Sequence, residues 1–202
     1  MQPAIFLDKD GTLIPDIPYN VDPDLITLYP ETGLALQRLK QAGFKLVVVS
    51  NQAGVARGYF RENQLPAVYD RMNQLLEPFS VTLDGFEYCP NHPQGTVEGY
   101  VIDCNRRKPK PGMLLDAAQT YDIDLPASWM IGDILNDVEA GNRAGCRTIL
   151  VDRGNETEWQ TGPYRTPTAI VNNLEEAVNT IVEYKSTTRL ERHSTSKRLL
   201  SH

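Results

Sequence analysis

"FKLVVVSN", residues 44–51, carries after Lys45 a continuous apolar, mostly β-branched run that ends in two polar residues. A run without polar alternation suits a strand buried on both faces of a parallel sheet. Such a strand needs helices on both sides, and helical patterns flank it. Upstream, "PETGLALQRLKQAG" (30–43) has Pro30 near its first turn, Leu34, Leu36 and Leu39 at apolar positions and Gly43 as a stop. Downstream, "ENQLPAVYDRMNQLLEPF" (62–79) reads as a helix with Pro66 in its first turns.

Further outward the alternation continues. "AIFLD" (4–8), "LDGFEYCP" (83–90), "SWMIGD" (128–133) and "CRTILVD" (146–152) read as strands. "PGMLLDAAQTYDI" (111–123) and "LNDVEAGNRAG" (135–145) read as helices, and "TAIVNNLEEAVNTIVEY" (168–184) as a last strand and helix. Strands alternating with helices predict an α/β fold, a doubly wound parallel sheet. The gaps between Leu13 and Ser50 and between Asn51 and Lys108 leave no room for a large cap domain.

The 202 residues suit one domain, here 1–184, and 41% hydrophobic residues are enough for a core. Residues 185–202 hold Lys185, Arg189, Arg192, Lys197 and Arg198 against Glu191. That leaves the other 184 residues at −10 within a total of −6. The Ser- and Thr-rich basic tail predicts a disordered segment. An acidic body argues against nucleic acid as a partner. No stretch has the ~18 apolar residues of a membrane span. The start shows no signal-peptide pattern, and three cysteines are too few and too odd for a disulfide framework. A cytoplasmic monomer acting on a small molecule is the expectation.

Ligands of doubly wound sheets bind at the carboxyl ends of the strands, so those ends should share a chemistry. They do. The first strand runs into Asp8 and Asp10, the second into Ser50, Asn51 and Gln52, and "SWMIGD" into Asp133, with Asp137 one turn on. Between them, "RRKPKPG" sets Arg107 and Lys108 before Pro109. Each has an ordinary alternative: Asp8 and Asp10 a charged turn, Ser50 and Asn51 a turn or cap, Asp133 an N-cap, Lys108 a solvated surface charge. Together, three carboxylates make a hard oxygen site suited to Mg²⁺, and Lys108 and Ser50 add donors for a phosphoryl group. No Walker loop is present, so a nucleoside triphosphate is not indicated.

"DKDGT", the Ser50 strand end, Lys108 and "GDILND" resemble, in order, the four motifs of the haloacid dehalogenase superfamily of aspartyl phosphatases. Through "SNQAGVARGYF", "YCPNHPQG" and "RKPKPGMLL" the likeness is closer to the branch holding the heptose bisphosphate phosphatases and related histidinol phosphatases. The resemblance implies a phosphoric monoester hydrolase acting on the 7-phosphate of D-glycero-D-manno-heptose 1,7-bisphosphate, with histidinol phosphate or another small phosphate ester as the alternative. Asp8 would be the nucleophile and Asp10 the acid and base. Mg²⁺ would lie on Asp8, the Asp10 carbonyl and Asp133, with Asp137 behind them. Ser50 and Lys108 would hold phosphoryl oxygens, and Asn51, Gln52 and Arg107 would meet the substrate. The loop "IPDIPYNVDPDLITLY" (14–29) is a candidate flap over the site, and equally an ordinary connection.

The same resemblance implies a structural zinc on Cys-x-His and Cys-x-Cys pairs, and here the chain departs from it. The pairs read Cys89-Pro90-Asn91 and Cys104-Asn105-Arg106, so two of four ligand positions are changed. His92 next door makes three ligands, one short of a structural site. A protein without tight zinc is therefore expected, with Arg106 and Arg107 together drawing an anionic part of the substrate. Alternatives of other classes are a phospho-acceptor receiver, which has no need of Asp10, and an idle phosphosugar-binding protein.

Overall fold

Six parallel strands form the sheet, in the order β3-β2-β1-β4-β5-β6. The computed structural model describes the backbone of residues 1–199 and the side chains of residues 1–187. The strands are β1 (Ala4–Leu7), β2 (Lys45–Asn51), β3 (Gly85–Cys89), β4 (Trp129–Gly132), β5 (Arg147–Val151) and β6 (Ala169–Val171). Between them run α1 (Thr32–Gln41), α2 (Leu65–Leu76), α3 (Gly112–Thr120) and α4 (Leu135–Ala144), and α5 (Leu174–Leu199) follows β6. The chain winds outward from β1 to β3, then crosses back to enter β4 on the other side of β1. Strand order therefore reverses between β1 and β4, and a crevice must open beyond their carboxyl ends.

Side chains alternate across the sheet and bury on both sides. Ile5, Leu7, Leu46, Val48, Ile131 and Ile149 face α1, α2 and α5 through Leu36, Leu39, Met72, Val178 and Ile181. Ala4, Phe6, Val47, Val49 and Met130 face α3 and α4 through Met113, Leu114, Ala117 and Ala140. This two-sided burial is why β2 carries no polar alternation until Ser50.

One expectation is corrected. Leu34 is 59% exposed, and the buried stripe of α1 is Thr32, Ala35, Leu36 and Leu39 instead. Positions 32, 35, 36 and 39 follow the i, i+3, i+4, i+7 rule, which leaves 34 off the stripe. The tail, residues 185–202, begins within the last helix. Helix α5 runs past residue 184 to Leu199, and residues 200–202 lie outside the described residues. Asn173 caps its start by accepting the Glu176 N–H at 2.9 Å. Once a packed, capped turn has nucleated a helix, propagation is far cheaper than nucleation.

Candidate active site

Beyond the ends of β1 and β4, three carboxylates meet. Oxygens of Asp8, Asp133 and Asp137 all lie within 4.8 Å of one another, and all three residues are buried. Asp8 follows β1 directly and is anchored by donating its N–H to the Ile131 carbonyl of β4 at 2.9 Å. Asp133 follows β4, and Asp137 sits in the first turn of α4, where it accepts the Ile134 N–H at 3.3 Å. Strand pairing thus fixes two members and a helix start the third.

Glycines make the approach possible. Gly11 has φ +78°, and a Cβ there would collide with the Asp133 carboxylate and the Asn155 amide. A Cβ on Gly132 would collide with the Asp137 carboxylate. The glycines of "DKDGT" and "GDILND" are therefore required by crowding around the acids.

One cation serves the cluster. Lys108 is 3% exposed, and its Nζ reaches Asp8 Oδ1, Asp137 Oδ1 at 2.6 Å and the Val49 carbonyl at 2.8 Å. Burial opposes its charge, but Asp137 and Asp8 outweigh that and hold its ammonium well above the usual lysine range. Asp133 is left with neutral partners: Asn155 Nδ2 donates at 2.7 Å and Thr12 Oγ1 at 3.4 Å. Burial, then Asp8 and Asp137, push its carboxyl up to about 8. Three acids against one lysine in a buried crevice lack positive charge, and hard oxygen donors of this kind fit a Mg²⁺ ion.

Next along the chain from Asp8, a cleft of about 310 Å³ is lined by Lys9, Asp10, Asp16, Tyr19, Asn51 and Gln52 among others. The Asp10 side chain faces this cleft and is not among the three clustered carboxylates. Its Oδ1 pairs with Lys9 Nζ at 2.7 Å, and burial drives its carboxyl upward despite that lysine. Ser50 Oγ accepts from Gln52 Nε2 at 2.7 Å. Asn51 holds the Lys108 backbone from both sides, donating to its carbonyl at 3.1 Å and accepting its N–H at 3.0 Å. Its amide therefore orients Lys108 as well as lining the cleft. Tyr19 brings the 14–29 loop over the same cleft and packs its ring 4.5 Å from that of Tyr59.

Arg107 and Arg106, expected to act together, are separated. Arg106 is committed elsewhere: Nη2 donates to Glu87 Oε2 at 2.7 Å and to the Tyr88 carbonyl at 3.3 Å, and Nη1 pairs with Asp116. A guanidinium already held by two carboxylates does not reach for substrate, so its expected direct role is corrected. Arg107 has no carboxylate partner among the described residues. Its Nη1 is buried and unpaired, and burial followed by the repulsion of Arg57 lowers its pKa. Arg57, not singled out from the sequence, also has a buried unpaired Nε.

The cysteine loop brings two thiols together. Cys89 and Cys104 place their sulfurs 3.2 Å apart, but His92 is turned away. Its Nδ1 accepts the Gln94 N–H at 3.0 Å, and its Nε2 stands 3.5 Å from Arg57 Nη2. Among the described residues no third ligand completes the thiol pair.

Fold and site together define a phosphate-ester hydrolase of the doubly wound α/β class. A family model for HAD-hydrolase-like proteins matches residues 105–177. The D-glycero-beta-D-manno-heptose-1,7-bisphosphate 7-phosphatase of Escherichia coli K12 is 46% identical over 153 residues, 75% of this chain and 80% of that one. Its Photorhabdus laumondii counterpart is 42% identical over 173 residues, 85% and 91% of the two chains. Among solved structures, a HAD-like phosphatase from Mesorhizobium loti aligns with a TM-score of 0.77 at 38% identity, covering 89% of this chain and 86% of its own. The D,D-heptose 1,7-bisphosphate phosphatase of B. bronchiseptica, complexed with magnesium and phosphate, gives 0.76 at 33%, covering 90% and 99%. The chain belongs to the HAD-like phosphatases and is a phosphoric monoester hydrolase. Among the described residues, no helix is long and apolar enough to cross a membrane.

Proposed function

We propose that this phosphatase removes the 7-phosphate of D-glycero-D-manno-heptose 1,7-bisphosphate through an aspartyl-phosphate on Asp8. The observation that carries the chemistry is the buried Lys108 ammonium between Asp8 and Asp137, with Asp133 beside them held only by the neutral Asn155 and Thr12. Mg²⁺ held by Asp8, Asp133 and the Asp10 carbonyl would supply positive charge against an anionic nucleophile and an anionic phosphate.

In the first half-reaction, an Asp8 carboxylate oxygen attacks phosphorus while the bond from phosphorus to the sugar oxygen breaks. Asp10, oriented by Lys9, gives its proton to that leaving oxygen. In the second, Asp10 takes a proton from a water that attacks the same phosphorus, which frees inorganic phosphate and restores Asp8. Lys108, fixed by Asn51, and Ser50, fixed by Gln52, steady the phosphoryl oxygens. Asp137 holds Lys108 in place.

Substrate class rests on the arginines. Arg57 follows the cleft residues Ala53 and Gly54 in the chain and Arg107 precedes Lys108; each carries a buried, unpaired N–H, and such groups favour a second anion. Histidinol phosphate, whose far end is a cation, suits this edge poorly. The names of the relatives point the same way. The three free cysteines agree with a reducing, cytoplasmic setting.

The test is a phosphate-release screen over sugar bisphosphates, histidinol phosphate and p-nitrophenyl phosphate, with Mg²⁺ and with chelator. The expected result is release that requires Mg²⁺ and is fastest on the heptose 1,7-bisphosphate. Preference for histidinol phosphate would overturn the substrate assignment, and full activity in chelator would overturn the metal.

A further inference from the structure

We infer that Arg106 is a positioning residue: its ion pairs close the 90–111 loop without a metal ion and set Arg107 toward the substrate's second anionic group. The inference rests on the reading that Arg107 meets the substrate.

The loop leaves the sheet at Cys89, the end of β3, and returns at Gly112, the start of α3. Arg106 spans those two elements with one planar group. Its Nη2 meets Glu87 and the Tyr88 carbonyl on β3, while its Nη1 meets Asp116 on α3. A guanidinium fork can hold two carboxylates at once and never loses its charge. Burial opposes that charge, yet Glu87 and Asp116 together raise the Arg106 pKa above its ordinary value.

The residues expected to bind zinc cannot do the same job. Tetrahedral structural zinc needs four ligands. Positions 91 and 106 are Asn and Arg, and the His92 ring is engaged by Gln94 and stands beside Arg57. A guanidinium at position 106 would also repel a cation there.

What the clamp controls follows from chain order. Arg107 is the next residue; its N–H donates to the Cys104 carbonyl at 3.4 Å and its carbonyl accepts the Lys110 N–H at 2.9 Å, but its guanidinium has no carboxylate of its own, so its aim follows the loop that Arg106 clamps. Lys108 is held independently by Asn51, Asp8 and Asp137. Loss of the clamp should therefore disturb recognition of the second anion and spare the chemistry at Asp8. This separates Arg106 from a residue that merely stabilises the fold, whose loss would lower turnover of every substrate together.

The experiment measures kcat and KM of Arg106→Ala, Arg106→Lys and Glu87→Gln. The substrates are the heptose 1,7-bisphosphate and p-nitrophenyl phosphate, which has no second anion. Zinc is measured on the purified wild type. The expected result is a bisphosphate KM raised about tenfold by Arg106→Ala, equivalent to ~1.4 kcal/mol, and less by the other two. Their kcat on the aryl ester should stay within about twofold of wild type. A doubly substituted chain, Asn91→His with Arg106→Cys, should take up one zinc and recover the bisphosphate KM. If Arg106→Ala does not fold, Glu87→Gln carries the same prediction, since it removes one charge at constant shape. One tight zinc per wild-type chain would overturn the inference, as would equal losses on both substrates or an unchanged bisphosphate KM. Arg107→Ala is assayed in parallel. An unchanged bisphosphate KM there would locate the failure in the Arg107 reading rather than in the clamp.

Discussion

The strand-end cluster and the 90–111 loop solve the same problem, holding charged groups still, by different means. Asp8 and Asp133 sit on paired parallel strands, and their spacing is set by the β1–β4 register, which matches Leu7 with Ile131. Arg107 sits on a loop whose shape depends on side chains: Arg106 on Glu87 and Asp116, and Asn51 on Lys108. Backbone pairing gives positional precision that single substitutions hardly disturb, whereas a side-chain clamp can be changed one residue at a time. On the proposed function, the nucleophile and the metal-holding acids lie on the rigid part, and Lys108 and the substrate-reading Arg107 lie on the adjustable part.

Removing the nucleophile tests the rigid part most severely. Asp8→Asn should lower kcat by at least about 10³-fold on every substrate while the folded protein persists. Residual turnover above a trace, in protein free of wild type, would break the assignment.

Asp10→Asn should separate substrates by leaving group rather than by charge. Loss of the acid should cost about 10²- to 10⁴-fold on the sugar phosphate. It should cost much less on p-nitrophenyl phosphate, whose leaving oxygen needs no proton. Equal losses would remove Asp10 from that role.

Lys108→Met leaves three buried acids with no cation. Breaking a buried pair in this way costs about 3–5 kcal/mol, which urea denaturation in chelator should show. Added Mg²⁺ should return part of that stability by binding the folded state alone. A variant as stable as wild type in chelator would mean that the cluster bears little charge.

The smallest effect concerns the loop's thiols. Burial would raise the Cys104 thiol, but hydrogen bonds from Asn91, Cys89 and the Arg106 and Arg107 amides outweigh it and lower its pKa. Burial and the bond to Cys104 push Cys89 up to about 12, and burial does the same for Cys146. A lowered pKa puts thiolate in solution at lower pH than a free cysteine does, so iodoacetamide near pH 7 should modify Cys104 first. Peptide mapping that found Cys89 or Cys146 modified earlier would contradict this.

Legibility from sequence follows the same division. The inner strands β1, β2, β4 and β5 were visible because burial on both faces removes most polar residues, whereas β3 and β6 at the sheet edges are only partly buried, and the strand-end acids stood out against those apolar runs. Lys9 could have been noticed, since a lysine between two aspartates neutralises one of them, and it does pair with Asp10. Asn155 gave no signal, because its bond to Asp133 spans 22 residues from an irregular loop. Arg57 was equally silent: an arginine is informative only when its lack of an acidic partner is known, and that is a property of the folded chain. Arg106 was placed at the substrate because it neighbours Arg107, but adjacent side chains in a loop need not face the same way. Leu34 misled for a simpler reason, since an apolar residue just off the helical stripe looks like core until the phase is fixed.

The central claim is that Asp8 carries the phosphoryl group during turnover. Its most direct test is borohydride reduction of enzyme quenched during steady-state hydrolysis with Mg²⁺, followed by peptide mass spectrometry. The account predicts conversion of Asp8 to homoserine, dependent on substrate and absent from Asp8→Asn. Reduction at Asp133 or Asp137, or no reduced residue under turnover that is demonstrably running, would contradict it.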